Sequence, residues 1–360
     1  MLRALLAILL SLTLSAPASA WTLKYLGQQI LPSGYEYSGT IVGGLSGIEY
    51  DPVRHRFYVL SDDQSELNPA RFYTFRLDLR KFNTLPDPGY GGITFTNVTY
   101  LQDRQGMPYA ARQVDPESIR LSPDGGSLFW ANEGNANAGI PPSIEEIGLN
   151  GEYRRTLPLP GPYLPRSNRG VRHNLAFESL AIDPAGKRLH VATENALLQD
   201  GPAANARQGS SCRVLAYELA SGKPVAEYVY PADPVTHPPS VPLLFHTNGL
   251  VELLALDGQR FLALERSYTQ FAGNGIRIYL ADLEGATDVS LLDSLEGQSY
   301  RPMAKSLLLD LSSLGIPIDN IEGMTWGPAL PNGNRSLILV SDNNFSSRQI
   351  TQFLAFEVIP

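Results

Sequence analysis

One short pattern is written five times in this chain, and a pattern returning at near-even spacing leaves few folds open. The copies are "LSGIEYDPVRHRFYVLSDD" (45–63), "PESIRLSPDGGSLFWANEG" (116–134), "FESLAIDPAGKRLHVATEN" (177–195), "TNGLVELLALDGQRFLALERS" (247–267) and "IEGMTWGPALPNGNRSLILVSDN" (321–343). Aligned on Ile48, Ile119, Leu180, Leu250 and Met324, neighbouring copies stand about 60 to 75 residues apart. Self-similarity at such a period marks a repeat architecture. Each copy parses as a hairpin: an alternating strand such as Ser118–Leu121, a turn such as Pro123-Asp124-Gly125, then a β-rich returning strand such as Leu128–Ala131.

Two further strand-like runs usually follow, as in "SIEEIGL" with "GEYRRTLPL" and "RVLAYEL" with "KPVAEYVYP". Four antiparallel strands per repeat make the blade of a β-propeller, and arranging short sheets radially hides their edges. The expected fold is therefore all-β: a propeller of five four-stranded blades, with a sixth, degenerate blade open between Tyr268 and Asp319. The last copy supplies only three strands, ending in "QFLAFEVI", so the N-terminal "WTLKYLGQQIL" is expected to enter as the fourth and close the ring. Lys305–Leu314 reads as a strand plus a turn rather than a helix. A pair of β-sandwiches is the competing fold, but independent sandwiches would not share one hairpin at regular spacing.

The chain opens "MLRALLAILLSLTLSAPASAW". A short basic start, a compact apolar run and the small-x-small Ala18-Ser19-Ala20 spell a signal peptide over 1–20, cleaved after Ala20, with one propeller domain over 21–360. The apolar run is shorter than the roughly 18 residues a membrane span needs. Secretion, or a periplasmic location, is expected, with no membrane insertion after cleavage. The one cysteine, Cys212, leaves no internal disulfide. A formal charge of -8 argues against nucleic-acid partners and suits a protein that recruits cations. A monomer acting on a small molecule is the expected state.

In a hairpin the start of the first strand and the end of the second share one rim. Glu117 then faces Glu133, Glu178 faces Glu194 and Glu322 faces Asp342; the fourth copy places Asn248 with Glu265, and the first Ser46 with Asp62. Inner strands line a propeller's channel, so these groups converge on one mouth. Crowded carboxylates either raise one another's pKa or hold a cation. The expected metal ligands are Glu117, Glu178, Glu322, Asp342, Asp62, Glu265 and Asn248, with the amides of Asn132, Asn195 and Asn343 as further oxygen donors. Such ligands suit a divalent cation, Ca²⁺ foremost, with Mg²⁺ or Mn²⁺ as alternatives. Taken singly, each acid is more simply a cap for nearby backbone N–H groups. The "DDQSE" run, Asp62–Glu66, lacks the glycine and terminal glutamate of a calcium loop. Neither a G-x-S-x-G elbow nor a zinc spacing of histidines occurs.

The stretches "GLSGIEYDP…RFYVLSDD", "DPESIRLSPDG", "FESLAIDPAGKRL", "NGLVELLAL…FLALERSY", "GIRIYLADLEGATDVS" and "IDNIEGMTWG…LILVSDNNF" resemble the phytase-like group of exported propellers, described by "esterase-like activity of phytase". The resemblance runs from about Gly43 to Val358 and implies a β-propeller, export and a hydrolase. More distantly the pattern is similar to calcium-dependent lactonase propellers of the gluconolactonase type, where Glu117 or Glu178, Asn248 and Asp342 would hold the ion. The expected activity is metal-assisted hydrolysis of a phosphoester or small carboxylic ester. Glu194 or Glu133 would serve as general base, and His173, Arg172 and Arg266 would steady the developing negative charge. The alternatives are a non-catalytic ligand- or protein-binding propeller with structural Ca²⁺, and a lactonase.

Overall fold

The computed structural model describes residues 21–241 and 243–359; the expected signal peptide, 1–20, lies outside them. After β1 (Thr22–Leu31) and a small ladder of β2 (Glu36–Tyr37) with β3 (Thr40–Ile41), the chain builds five four-stranded antiparallel sheets. Blade one is β4 (Leu45–Asp51), β5 (Arg56–Ser61), β6 (Arg71–Leu77) and β7 (Ile93–Tyr100). Blade two is β8 (Pro116–Leu121), β9 (Ser127–Asn132), β10 (Ser143–Gly148) and β11 (Tyr153–Thr156). Blade three is β12 (Phe177–Ile182), β13 (Arg188–Thr193), β14 (Ser210–Glu218) and β15 (Lys223–Ala232). Blade four is β16 (His246–Ala255), β17 (Arg260–Thr269), β18 (Gly273–Asp282) and β19 (Ala304–Asp310). Blade five is β20 (Asn320–Ala329), β21 (Arg335–Asp342) and β22 (Thr351–Ile359), completed by β1.

The propeller thus has five blades. The Tyr268–Asp319 stretch forms no sixth sheet: it carries β18 and β19, the outer half of blade four, and Leu311–Leu314 is a 3₁₀ turn after β19, as a strand-plus-turn reading requires. The N-terminal strand closes the ring as expected, pairing antiparallel with β22 from Thr22↔Ile359 to Leu31↔Thr351. The first and last described strands therefore share a sheet. Among the described residues no helix is long and apolar enough to cross a membrane.

Apolar side chains fill the seams between blades. Leu60 and Phe72 of blade one meet Leu128 and Trp130 of blade two, and a comparable cluster occupies each of the other four seams. Each fully buried side chain of this kind stabilises by roughly 1.5–3 kcal/mol.

The inner strands β4, β8, β12, β16 and β20 touch in sequence around the axis, and β20 meets β4. Each is interrupted by a bulge at the same place, so that Ser46, Glu117, Glu178, Val251 and Glu322 are the extra residues. The next position holds Gly47, Ser118, Ser179, Glu252 and Gly323. It must be small where inner strands approach: a Cβ on Gly47 would stand 2.7 Å from the Glu117 carbonyl oxygen, and one on Gly323 2.8 Å from that of Ser46.

Blade four alone places a large residue there, and its carboxylate meets a guanidinium on the axis. Arg120 Nη1 donates to the carbonyls of Ile48 (3.1 Å) and Ile119 (2.7 Å), and Nη2 to those of Leu253 (3.0 Å) and Met324 (3.3 Å). Nη2 also pairs with Glu252 Oε2 at 2.8 Å, with the two side chains 3% and 0% exposed. Ser118 Oγ donates to Glu252, and the Leu180 N–H reaches both Ser118 Oγ and Glu252 Oε1. All five blades therefore meet in one polar knot. Burial pushes the Glu252 carboxyl up to about 7, with Arg120 pulling it back.

Removing one member of a buried pair strands the other charge, at a cost of about 3–5 kcal/mol. Arg120→Met is expected to lose that much in urea unfolding, while Arg120→Met combined with Glu252→Met loses less than the single change. A single variant as stable as the parent would show that the knot is dispensable.

Candidate functional site: an acidic mouth

The bulge does two things at once. It turns its own residue toward one mouth of the channel, and it shifts the register so that the residue after the bulge's partner follows it there. The partners Ser61, Asn132, Thr193, Glu265 and Ser341 pair across from Leu45, Pro116, Phe177, Leu250 and Ile321. The mouth therefore receives Asp62, Glu133, Glu194, Arg266 and Asp342. Together with Glu117, Glu178 and Glu322 from the bulges, and Asp115 from the entry to β8, they surround or underlie a cavity of about 940 Å³. Eight carboxyl groups thus gather around one half-buried arginine, Arg266.

Two triads stand out. Carboxylate oxygens of Asp115, Glu117 and Glu133 lie within 4.8 Å of one another, as do those of Glu133, Glu178 and Glu194, so Glu133 is shared. Glu133 Oε1 accepts the Ala176 N–H at 2.7 Å, and Asp115 Oδ2 accepts from Gln64 at 2.7 Å. Gly249 is needed beside them, because a Cβ there would come 2.3 Å from Glu194 Cγ. On the far side Arg266 Nη2 bonds Glu322 Oε1 at 3.0 Å and stands 3.5 Å from Glu194 Oε1. Asn320 Nδ2 donates to Glu322 (3.0 Å) and Asp342 (3.2 Å).

Such crowding shows in the acidities. Burial, then the charge of Glu178, lifts Glu117 well above the carboxylate range; burial, then Glu133, does the same to Glu178. Glu133 and Asp62 rise likewise, chiefly by burial and then beside Asp115 and Asp342 respectively. Asp115 is pushed up to about 6 and Asp342 to about 8, in both cases mainly by burial. Glu194 reaches about 7, burial outweighing the pull of Arg266. Burial works against the Arg266 charge, but Glu194, Glu322 and Glu178 outweigh it and raise its pKa.

The residues fit a hard cation. The donors are all oxygens, the triads converge, and Glu194 Oε1 is buried and accepts no hydrogen bond, the nearest cation being Arg266 Nη2 at 3.5 Å.

Glu117, Glu133, Glu178, Glu194, Glu322, Asp342 and Asp62 reach the mouth as the hairpin geometry requires, and Arg266 stands there with them. Four other expected residues do not. Glu265 turns into the seam between blades three and four, accepting from Tyr230, Lys305, the Asp233 N–H and Asn248. Asn248 is held there too, donating to Asp233 O at 2.8 Å. In blade four the mouth-facing position lies one residue later on the second strand, at Arg266, and the bulge three residues later on the first, at Val251. Its counterpart of Glu194 is Arg266, and a slip of one residue sends a side chain to the opposite face. Arg172 ties down a loop by donating to the carbonyls of Ala196 and Gly201, and His173 is exposed outside the cavity. The chain reverses just after them at Asn174, in the left-handed region at φ 56°, so only Asn174 and Leu175 face the mouth.

The expected amide donors are also committed elsewhere. Asn132, Asn195 and Asn343 Oδ1 atoms accept backbone N–H groups of Asp115, Ala204 and Gly44. Asp63 in the "DDQSE" run caps the backbone at Glu66, Leu67 and Asn68. Asp115 and Asn320 went unread in the sequence. They occupy equivalent positions before β8 and at the start of β20, just outside the five-fold match, and only the bulge alignment reveals them.

The solved structures that this chain is similar to include the catalytic domain of a GH62 α-L-arabinofuranosidase from Coprinopsis cinerea. That match has 12% identity and a TM-score of 0.48, and covers 93% of this chain and 97% of the other. The periplasmic gluconolactonase of Pseudomonas aeruginosa matches at 12% identity, TM-score 0.36, over 94% of this chain and 100% of its own. U3-55K matches at 10%, TM-score 0.40, over 92% and 99%. At these scores the likenesses carry no argument. No curated protein matches the chain. The model of the phytase-like family, "Esterase-like activity of phytase", matches residues 40–345, from before blade one to the end of β21 and just beyond. The chain belongs to the phytase-like family.

Proposed function

We propose that this protein is an exported, metal-assisted hydrolase of phosphoesters or small carboxylic esters, with its site at the acidic mouth and Ca²⁺ as the preferred ion. The observation that carries the reading is the pair of carboxylate triads sharing Glu133. A hydrolase is what the family points to, and an exported chain accounts for residues 1–20. Asp115, Glu117, Glu133 and Glu178 are the ligands. An ion held there neutralises the carboxylates and polarises an ester oxygen. Glu194, with a buried oxygen that accepts no hydrogen bond and a carboxyl that titrates near neutrality, takes the proton of the attacking water. Arg266, whose guanidinium lines the cavity beside Glu194 and Glu322, donates to the negative charge that develops. Glu322 and Asp342 hold Arg266 and Asn320 in place rather than binding the ion.

Ester hydrolysis is expected to vanish on treatment with EDTA and to return with added calcium. Glu133→Gln is expected to lower kcat/KM by ~100-fold or more, since both triads lose a ligand. An EDTA-treated enzyme cleaving p-nitrophenyl phosphate and p-nitrophenyl acetate at unchanged rates would end the metal-assisted reading. Cation binding with no turnover of any ester would favour a binding propeller instead.

Stability carries the same signature with a definite sign. A carboxyl whose pKa is raised in the folded state stabilises below its unfolded value and loses that contribution as pH rises through the folded one. Metal-free protein should therefore lose Tm from about pH 4 through the values near 6, 7 and 8 of Asp115, Glu194 and Asp342. Calcium opposes this, because it binds the ionised form. The rise in Tm on adding calcium should be large at pH 8 and small at pH 5; equal rises would contradict the site.

A further inference from the structure

The wall of the acidic mouth is not polar all the way round. Its apolar lining side chains are Leu175, Phe245, Tyr268 and Ile318. Phe245 and Tyr268 belong to blade four; Leu175 and Ile318 stand at the entries to β12 and β20, the inner strands on either side of it. Blades one and two contribute Asp62, Gln64, Asp115 and Glu117 instead. One sector of the cavity is therefore apolar, and it is the sector in which Arg266 takes the place of an acid.

The change of character runs outward along blade four. Residues two apart in a strand share a face, so Tyr268 follows Arg266 at roughly 7 Å. Thr247, also in the lining, pairs across from Tyr268, and Phe245 lies just before β16. The Phe245 and Tyr268 rings stand 6.1 Å apart, centroid to centroid. Phe245 is still 63% exposed, so this contact leaves it largely uncovered. A ligand reaching outward from Arg266 meets one hydroxyl and then two aromatic rings.

The adjoining surface is apolar too. Leu243 is 98% exposed and Phe271 87%. The turn that carries Phe271 is tied to Phe245: the Gln270 N–H donates to the Phe245 carbonyl at 2.9 Å, and the Phe245 N–H to Gln270 Oε1 at 3.3 Å. Phe271 has φ 72°, the left-handed position of a three-residue hairpin loop, where glycine sits without strain. An exposed aromatic on strained backbone does nothing for the fold, and contributes when something covers it.

The two halves of the cavity fix the chemistry of an occupant. A cation and Arg266 take an oxyanion or an ester oxygen, while the blade-four lip takes what water rejects. A molecule charged on every side has nothing to lay against Phe245 and Tyr268, and an acetyl group held at Arg266 does not reach them.

We propose that the substrate is amphiphilic: an ester or phosphoester whose reacting group sits between the cation and Arg266, and whose alkyl or aryl arm lies outward along blade four against Tyr268 and Phe245. This rests on the hydrolase reading of the mouth and names the class of ester it takes. Phe245 and Tyr268 set specificity and take no part in the chemistry.

The test is calorimetric titration of calcium-loaded protein with methylphosphonate and with hexylphosphonate, which share a head group and whose C–P bond resists hydrolysis. A methylene covered on one side gains about twofold in affinity, so the five added methylenes should tighten binding ~30-fold. Phe245→Ser should cut that preference to about fivefold or less. Leu291→Ser, at an exposed leucine outside the cavity, should keep it. Equal binding of the two phosphonates, or a preference untouched by Phe245→Ser, overturns the arm and leaves the hydrolase reading standing. If neither phosphonate binds in the presence of calcium, the head-group site itself is wrong and the arm falls with it.

Discussion

Everything in this propeller is arranged around one guanidinium. Arg120 sits on the axis, bonds carbonyls from four blades, and is neutralised by Glu252 of blade four, which shares no seam with blade two. A five-bladed ring leaves a narrow axis, and the carbonyls turned toward it need a donor. A single planar fork of N–H groups satisfies several at once, which no neutral side chain of that size does. The cost is a buried charge, and Glu252 offsets it only because Gly47, Ser118, Ser179 and Gly323 leave the space. The five copies could not be identical for this reason. One had to supply the arginine, another the acid, and the rest the room.

The second constraint is the bulge that recurs at the same step of each inner strand. By inserting one residue it aims two carboxylates of each of blades two, three and five at the same opening. Two unit charges 4 Å apart at an effective dielectric of about 20 repel by about 4 kcal/mol. Eight carboxyl groups in one mouth cannot all ionise there without help. Part of the help is internal: blade four replaces the pattern with Val251 and Arg266, and that arginine touches Glu322 and approaches Glu194. The rest must come from protons or from cations, which is why acidity and ion binding are linked at this mouth. The two ends of the channel are therefore chemically unlike, one crowded with charge and the other lined by turns, prolines and aromatic rings.

Much of this was legible in the sequence because it is periodic. Repetition exposed five blades and left a sixth open between Tyr268 and Asp319, and the unpaired N-terminal segment exposed the closure by β1. The acids of blades two, three and five could be read in pairs because their copies align without ambiguity. Blade four could not. Its long apolar run, "GLVELLAL", fits the pattern at several offsets, and the hydrophobic alternation that sets register does not count residues through a bulge. Hence Glu265 and Asn248 were expected at the mouth, where Arg266 stands instead. Arg172 and His173 lie in a loop, and no periodicity reports which way a loop turns.

By itself, then, the sequence determined the architecture, the strand order and the acidic character of one rim, because each follows from spacing and alternation along the chain. The tertiary structure alone decided that Glu133 serves two triads, that Asp115 joins them, and that Arg120 and Glu252 plug the axis. These are contacts between blades. They depend on how far each strand is shifted and bulged relative to its neighbour across the ring, and a shift of one residue reverses every side chain it carries.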